Sequence, residues 1–240
     1  MYQRVILKLS GEALKGSGIF GIHPATVKNI ATAIKEVYDM GVQIGIVIGA
    51  GNLWRGKTAE EFGMDRAQAD YMGMVGTIMN GLALQDALES IDVHTRVMSS
   101  LPISSVAEPY IRRRAIRHME KGRVVVFTGG TGSPFFSTDT AAALRAADLN
   151  ADIILMAKNG IEGVFDKDPR KHQDAAMYKE VSQKEVMTKK LGVMDQTAAS
   201  ICHENKIDIL VFNMSQLGNI KKAVLKEPIG TLVRWEDEWT

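Results

Sequence analysis

The sequence predicts an α/β fold, a three-layer αβα sandwich around a central, mainly parallel sheet. Three observations carry this. Short runs rich in β-branched residues recur along the chain, most are continuously apolar, and helical patterns separate them. Strands buried on both faces read as unbroken apolar runs, and strand–helix alternation builds parallel sheets covered on both sides.

The first strand is "RVILKLS" (4–10). A helix follows over 23–41, opened by Pro24 and closed by Gly41, where proline's fixed φ and glycine's freedom suit the two ends. "VQIGIVIGA" (42–50) is the second strand, and a long helical pattern spans 67–91. "DVHTRVMS" (92–99), "RVVVFTGG" (123–130), "ADIILMAK" (151–158) and "IDILVFN" (207–213) are the remaining strands, and a further helix begins in "TDTAAALRAADLN". The basic run Arg112–His118 reads as the solvated face of an amphipathic helix. No repeat, low-complexity tract or long linker interrupts the 240 residues; the length suits one large domain or two closely joined halves, and the expectation is one domain over 1–240.

Composition excludes several classes. Lys+Arg number 29 and Asp+Glu 28, so no global field draws the chain to nucleic acid. The one cysteine, Cys202, permits no internal disulfide and reads as a small core residue in a helix. No apolar run approaches the ~20 residues that cross a bilayer, and no signal peptide opens the chain. The expectation is a cytoplasmic protein without membrane or nucleic-acid partners.

Ligands of open α/β sheets bind outside the carboxyl ends of the strands. Three Gly-rich loops lie there: "KLSGEALKGSG", "GAGNLWRG" and "TGGTGSPFFSTDT". Such loops bring backbone N–H groups to anions, and a following helix adds its positive end. GxxxxGK[ST] is absent, and the dinucleotide pattern fails at Trp54, which stands where a third glycine belongs. Lys8 ends an apolar strand beside Ser10-Gly11, a costly position unless its ammonium emerges at a polar site. Arg55 offers a planar fork to phosphate oxygens or is a surface arginine. The third loop supplies Thr131, Ser133, Ser137 and Thr138, some of which cap the next helix. Asp139 among these groups needs a positive partner, Lys8 or a bound Mg²⁺; Asp195 is a second candidate partner or an N-cap. Asp70 reads as an ordinary helix acid. All five histidines avoid the loops, so hydrolytic equipment is missing. Phosphoryl transfer needs only positioning, positive charge and a nucleophile, and a phosphate acceptor requires no base.

The motifs "KLSGEAL" (8–14), "GNLWRG" (51–56), "MGMVGTIMNGLALQDAL" (72–88), "GTGSPFFSTDTAAALRA" (130–146), "GVFDKDP" (163–169) and "VMDQTA" (193–198) resemble the bacterial UMP kinases of the amino-acid-kinase fold. The resemblance runs from about Lys8 to Leu232. It implies transfer of a phosphoryl group from ATP to UMP with Mg²⁺ carried by the nucleotide phosphates, on the route to UTP and CTP. Lys8, Leu9, Ser10, Gly11 and Gly51 would hold ATP phosphates, with Arg55 at the phosphoryl region and Asn159, Phe165 and Asp168 along adenosine. Ala50, Asp70, Thr131, Gly132, Ser133, Pro134, Phe135, Phe136, Ser137 and Thr138 would bind UMP. One of the two phenylalanines would pack along the pyrimidine and the other hold the loop to the core. Asp139 and Asp195 would organise Lys8 and the phosphates. The acceptor-binding region would span about 1–150 and the ATP-binding region about 151–240. The segment Gly16, Ser17, Gly18, Ile19, Phe20, Gly21 would bind activating GTP, UTP would inhibit, and the assembly would be a homohexamer. Ala50 and Ser133 stand where the family usually has glycine and asparagine. Two other readings keep the scaffold: a carboxylate or carbamate kinase, against which the aromatic acceptor loop speaks, and a non-catalytic nucleotide-binding module.

Overall fold

The computed structural model describes residues 1–55, 63–169 and 171–236. Its six long strands fall where the apolar runs predict: β1 (Arg4–Leu9), β2 (Gln43–Ile48), β3 (Thr95–Ser99), β5 (Val124–Thr128), β6 (Ile153–Lys158) and β8 (Ile209–Asn213). Three short strands join them, β4 (Glu108–Pro109), β7 (Glu180–Ser182) and β9 (Thr231–Arg234). The sheet order is β4-β3-β5-β2-β1-β6-β8-β9-β7. All strand pairs run parallel except β8 with β9.

Helices α1 (Pro24–Tyr38), α2 (Arg66–Glu89) and α7 (Gly218–Val224) cover one face. On the other lie α3 (Arg112–Glu120), α4 (Thr138–Leu149), α5 (Gln183–Thr188) and α6 (Gln196–Glu204). α1 buries Val27, Ile30, Ala31, Ile34 and Val37, the spacing of one helical stripe. Pro24 is its first residue, and Gly41 turns the chain toward β2 at φ +79°. α2 comes so close to β5 that a Cβ on Gly81 would sit 2.4 Å from the Thr128 methyl. No described helix is long and apolar enough to cross a membrane.

The period of two along a strand sorts β1 between the layers. Val5, Leu7 and Leu9 enter the core beneath α1, whereas Ile6 enters the core beneath α4. Lys8 is next after Ile6 in that alternation, so its side chain is directed at α4, where Asp139 lies in the first turn. The chain leaves β1 for β2 on one side and reaches β6 on the other. β1 is therefore where the strand order reverses, the place where such sheets open a crevice.

Candidate phosphoryl-transfer site

Lys8 is buried, and its Nζ lies 2.6 Å from Asp139 Oδ1. Lys158, the last residue of β6, stands 4.0 Å from Asp139 Oδ2. Lys8 is the penultimate residue of β1 and Lys158 the last of β6, both on the face that α4 covers, and Asp139 in the first turn of that helix serves both. Burial pushes the Lys158 amine below its ordinary pKa; Asp139 works against the shift and the Lys8 charge adds to it. Sequence reasoning passed over Lys158, although a lysine ending an apolar strand is the same signal that marked Lys8.

Asp195 has a different task. It caps α6 through the Ala198 N–H at 3.0 Å and accepts hydrogen bonds from Thr140 Oγ1 at 3.1 Å and from the Ser137 hydroxyl. Ser137 in turn caps α4 by accepting from the Asp139 and Thr140 N–H groups. The positive ends of two helices are thus tied together beside Asp139. Burial alone would raise the Asp195 pKa, but the bonds from Ser137, Ala198 and Thr140 outweigh it and hold the carboxyl below its usual range. These bonds, rather than Lys8, occupy Asp195.

Two clefts flank the cluster. The first, about 590 Å³ including space open to solvent, is walled by Ala50, Trp54, Asp70, Met74, Phe136 and Thr138. Of the predicted acceptor-loop residues, Phe136 and Thr138 face it. Phe135 does not: its ring is exposed beneath Arg66, with the guanidinium carbon 5.9 Å from the ring centroid. Neither phenylalanine is buried in the core, so the expected anchoring ring is not found. The loop is held by backbone instead. Phe135 adopts φ +72°, a strained conformation for a side chain of this size, and its N–H donates to Asp70 Oδ2 at 2.7 Å. Thr131 Oγ1 bonds both ends of the Ser133 backbone, closing the turn internally. Ala50 lies outside the positive-φ region, and its methyl packs where Gly76 leaves room: a Cβ on Gly76 would approach it to 2.9 Å.

The first two loops interlock tightly. A Cβ on Gly11 would sit 2.4 Å from the Gly49 carbonyl oxygen and 2.6 Å from Asn52 Oδ1. Leu9, predicted beside the phosphates, buries its side chain in the core, which leaves only its backbone for a ligand. Asn52 and Asn80, both buried, exchange reciprocal amide bonds of 3.0 and 2.8 Å. Asn80 also donates to the Gly49 carbonyl at 2.7 Å, and Asn52 to the Gly21 carbonyl at 2.9 Å. This pair fixes the second loop to α2 and to segment 16–21, and nothing in the local pattern singled it out. Replacing Asn80 by alanine takes the side-chain donor from the Gly49 carbonyl and from Asn52 Oδ1 inside the protein, while the Asn52 amide keeps its bond to Gly21. The expected loss is about 3 kcal/mol, read from urea unfolding; a loss below about 1 kcal/mol would show the pair to be dispensable.

Arg55 folds back over the Gly51 carbonyl to Glu12, 2.6 Å from its Oε1, and stays more than half exposed at the rim. Gly56, the end of one sequence motif, lies outside the described residues. Residues 16–20 are exposed, with Ile19 and Phe20 at 95% and 70% accessibility, while Gly21 is half-buried.

The second cleft, about 1630 Å³ including open space, is bounded by Lys158, Phe165, Asp168, Lys190, Leu191 and Val211. Phe165 and Asp168, two of the three residues expected along adenosine, both line it. Asn159 is not in its wall; its Oδ1 accepts from the Ser215 hydroxyl at 2.9 Å. Lys158 belongs to this wall, and Thr138 of the first cleft is covalently next to Asp139. The lysine–aspartate–lysine cluster therefore separates two clefts of different character, the arrangement of a two-substrate transferase.

That class is matched by the comparisons with known proteins. The amino acid kinase family model covers residues 3–213, and the chain belongs to that family. Within it, the similarity is to uridylate kinases. The uridylate kinase of Onion yellows phytoplasma is 64% identical over 99% of both chains, and that of Limosilactobacillus reuteri 58% over 97% of both. The crystal structure of UMP kinase from Bacillus anthracis superposes with a TM-score of 0.95 at 40% identity, covering 98% of this chain and 97% of that one. UMP kinase from Ureaplasma parvum gives 0.92 at 38% identity, covering 98% and 99%.

Proposed function

We propose that this chain transfers the γ-phosphoryl group of ATP to UMP, giving ADP and UDP, and so feeds UTP and CTP synthesis. The observation that carries the reading is the Lys8–Asp139–Lys158 cluster between the two clefts. An oxygen of the UMP phosphate, already anionic, bonds to the γ-phosphorus while the bridging oxygen leaves with its electron pair on ADP. No proton has to move, which suits a site without histidine. The two ammoniums offset charge on the transferring group, and Asp139 holds both in place. UMP occupies the first cleft, on the N-terminal side of about residue 150, and ATP the second, on the C-terminal side.

A Mg²⁺ arriving with the nucleotide fits this donor set. Asp139 offers hard oxygens facing the cluster, while no group of three or more His, Cys, Asp or Glu capable of holding a metal occurs among the described residues. The phosphates would thus supply most of the ion's shell, and the ion would neutralise phosphate charge. On the same resemblance we infer activation by GTP, inhibition by UTP and a homohexamer; titrating each nucleotide into the assay and sedimentation of the free protein test these.

Coupled ADP release with UMP, CMP and dUMP as acceptors tests the reaction. UMP is expected to be preferred, and no turnover with UMP would overturn it. Asp70→Ala removes the acceptor for the Phe135 N–H and lets the strained loop relax. The expected result is a KM for UMP raised about tenfold with the KM for ATP unchanged. A change confined to ATP would remove Asp70 from the acceptor cleft.

A further inference from the structure

Arg145 lies in α4, is 6% exposed, and is absent from the walls of both clefts. Its guanidinium stacks on Tyr110, 3.6 Å from the ring centroid, with Phe127 at 6.0 Å and edge-on to Tyr110. Asp148 is a distant partner at 3.5 Å, already bonded at 2.7 Å by the Tyr110 hydroxyl. Arg145 Nε has no hydrogen-bond partner among the described residues. A buried guanidinium so weakly compensated is costly, and a hydrophobic side chain of similar size would fill the space more cheaply.

Its shortest bond explains its presence. Arg145 Nη2 donates to Ser100 Oγ at 2.7 Å, and Ser100 Oγ lies 3.0 Å from the Gly130 carbonyl in the wall of the first cleft. Arginine has no acceptor, so Ser100 must use a lone pair toward it. The single hydroxyl hydrogen is then directed at Gly130. The loop is fitted to this point: a Cβ on Gly132 would meet the Ser100 carbonyl oxygen at 3.2 Å.

We propose that Arg145 is a positioning residue for the acceptor, acting through Ser100 on the Gly130–Thr131 peptide. This rests on the reading that the first cleft holds UMP. Ser100→Ala is expected to raise the KM for UMP about fivefold to tenfold, with kcat within threefold and the KM for ATP unchanged. Arg145→Lys should do the same, and the double variant should be no worse than the more affected single one, as expected for two members of one relay. An unchanged KM for UMP in Ser100→Ala, equal changes for both substrates, or additive effects would each overturn the proposal. Should Arg145→Lys fail to fold, the Ser100→Ala result decides alone. The two failures are distinguishable through Phe136→Ala. If it raises the KM for UMP and Ser100→Ala does not, only the relay is wrong; if neither does, the cleft assignment is wrong.

Discussion

Replacing Lys8 by alanine lowers turnover by about 10²–10³-fold and leaves the KM for UMP within a factor of about three. The reason is where its charge sits. β1 delivers the side chain to the α4 face, burial strips it of water, and Asp139 at 2.6 Å holds it rigidly. A cation preorganised in a site of low dielectric acts on charge that develops during transfer far more than on the bound ground state. Steady-state kinetics with both substrates, alongside thermal unfolding, separates this effect from damage to the fold. Turnover within tenfold of the parent would take Lys8 out of the mechanism.

Asp139→Asn has the second largest expected effect, and it shows in stability as well as rate. Asp139 is the carboxylate shared by Lys8 and Lys158. Without it two ammoniums face each other with no counter-charge among the groups named, and turnover should fall by at least about 10²-fold. The pH dependence has a definite sign. Lys158 in the folded chain already titrates below its ordinary value of 10.5, chiefly because it is buried, and Asp139 is what limits the shift. Between the depressed folded value and 10.5, the unfolded chain binds more protons, so stability rises with pH through that window. Asp139→Asn removes what limits the shift, so the window widens downward and the variant's stability should rise with pH over a broader range below 10.5 than the parent's. Urea midpoints across that range measure it. A variant whose midpoint stays flat or falls would show that Asp139 does not hold Lys158 charged.

The six long strands were legible because burial on both sheet faces writes itself as unbroken apolar runs. The ends of α1 were legible because proline and glycine act locally. β4, β7 and β9 have two to four residues and carry no period to read. Their edge positions come from the strands they pair with. The loops that build the site could be seen as Gly-rich segments after strands, and Lys8, Asp139 and the adjacent Phe135 and Phe136 stood out as residues that their surroundings did not explain; which phenylalanine faces the cleft was not legible.

By itself the sequence determined the α/β class, the strand-end loops and the lysine that had to leave an apolar strand for a polar site. These depend on periodicity and on the cost of burying charge, both properties of a few neighbouring residues. Only the tertiary structure decided which groups meet. Asp139 rather than Asp195 pairs with Lys8, Lys158 completes the cluster, and the Asn52–Asn80 pair and the Arg145–Ser100 relay brace the loops from behind. Those contacts join residues from different elements, well separated along the chain, and strand order and register, not local pattern, set their distances.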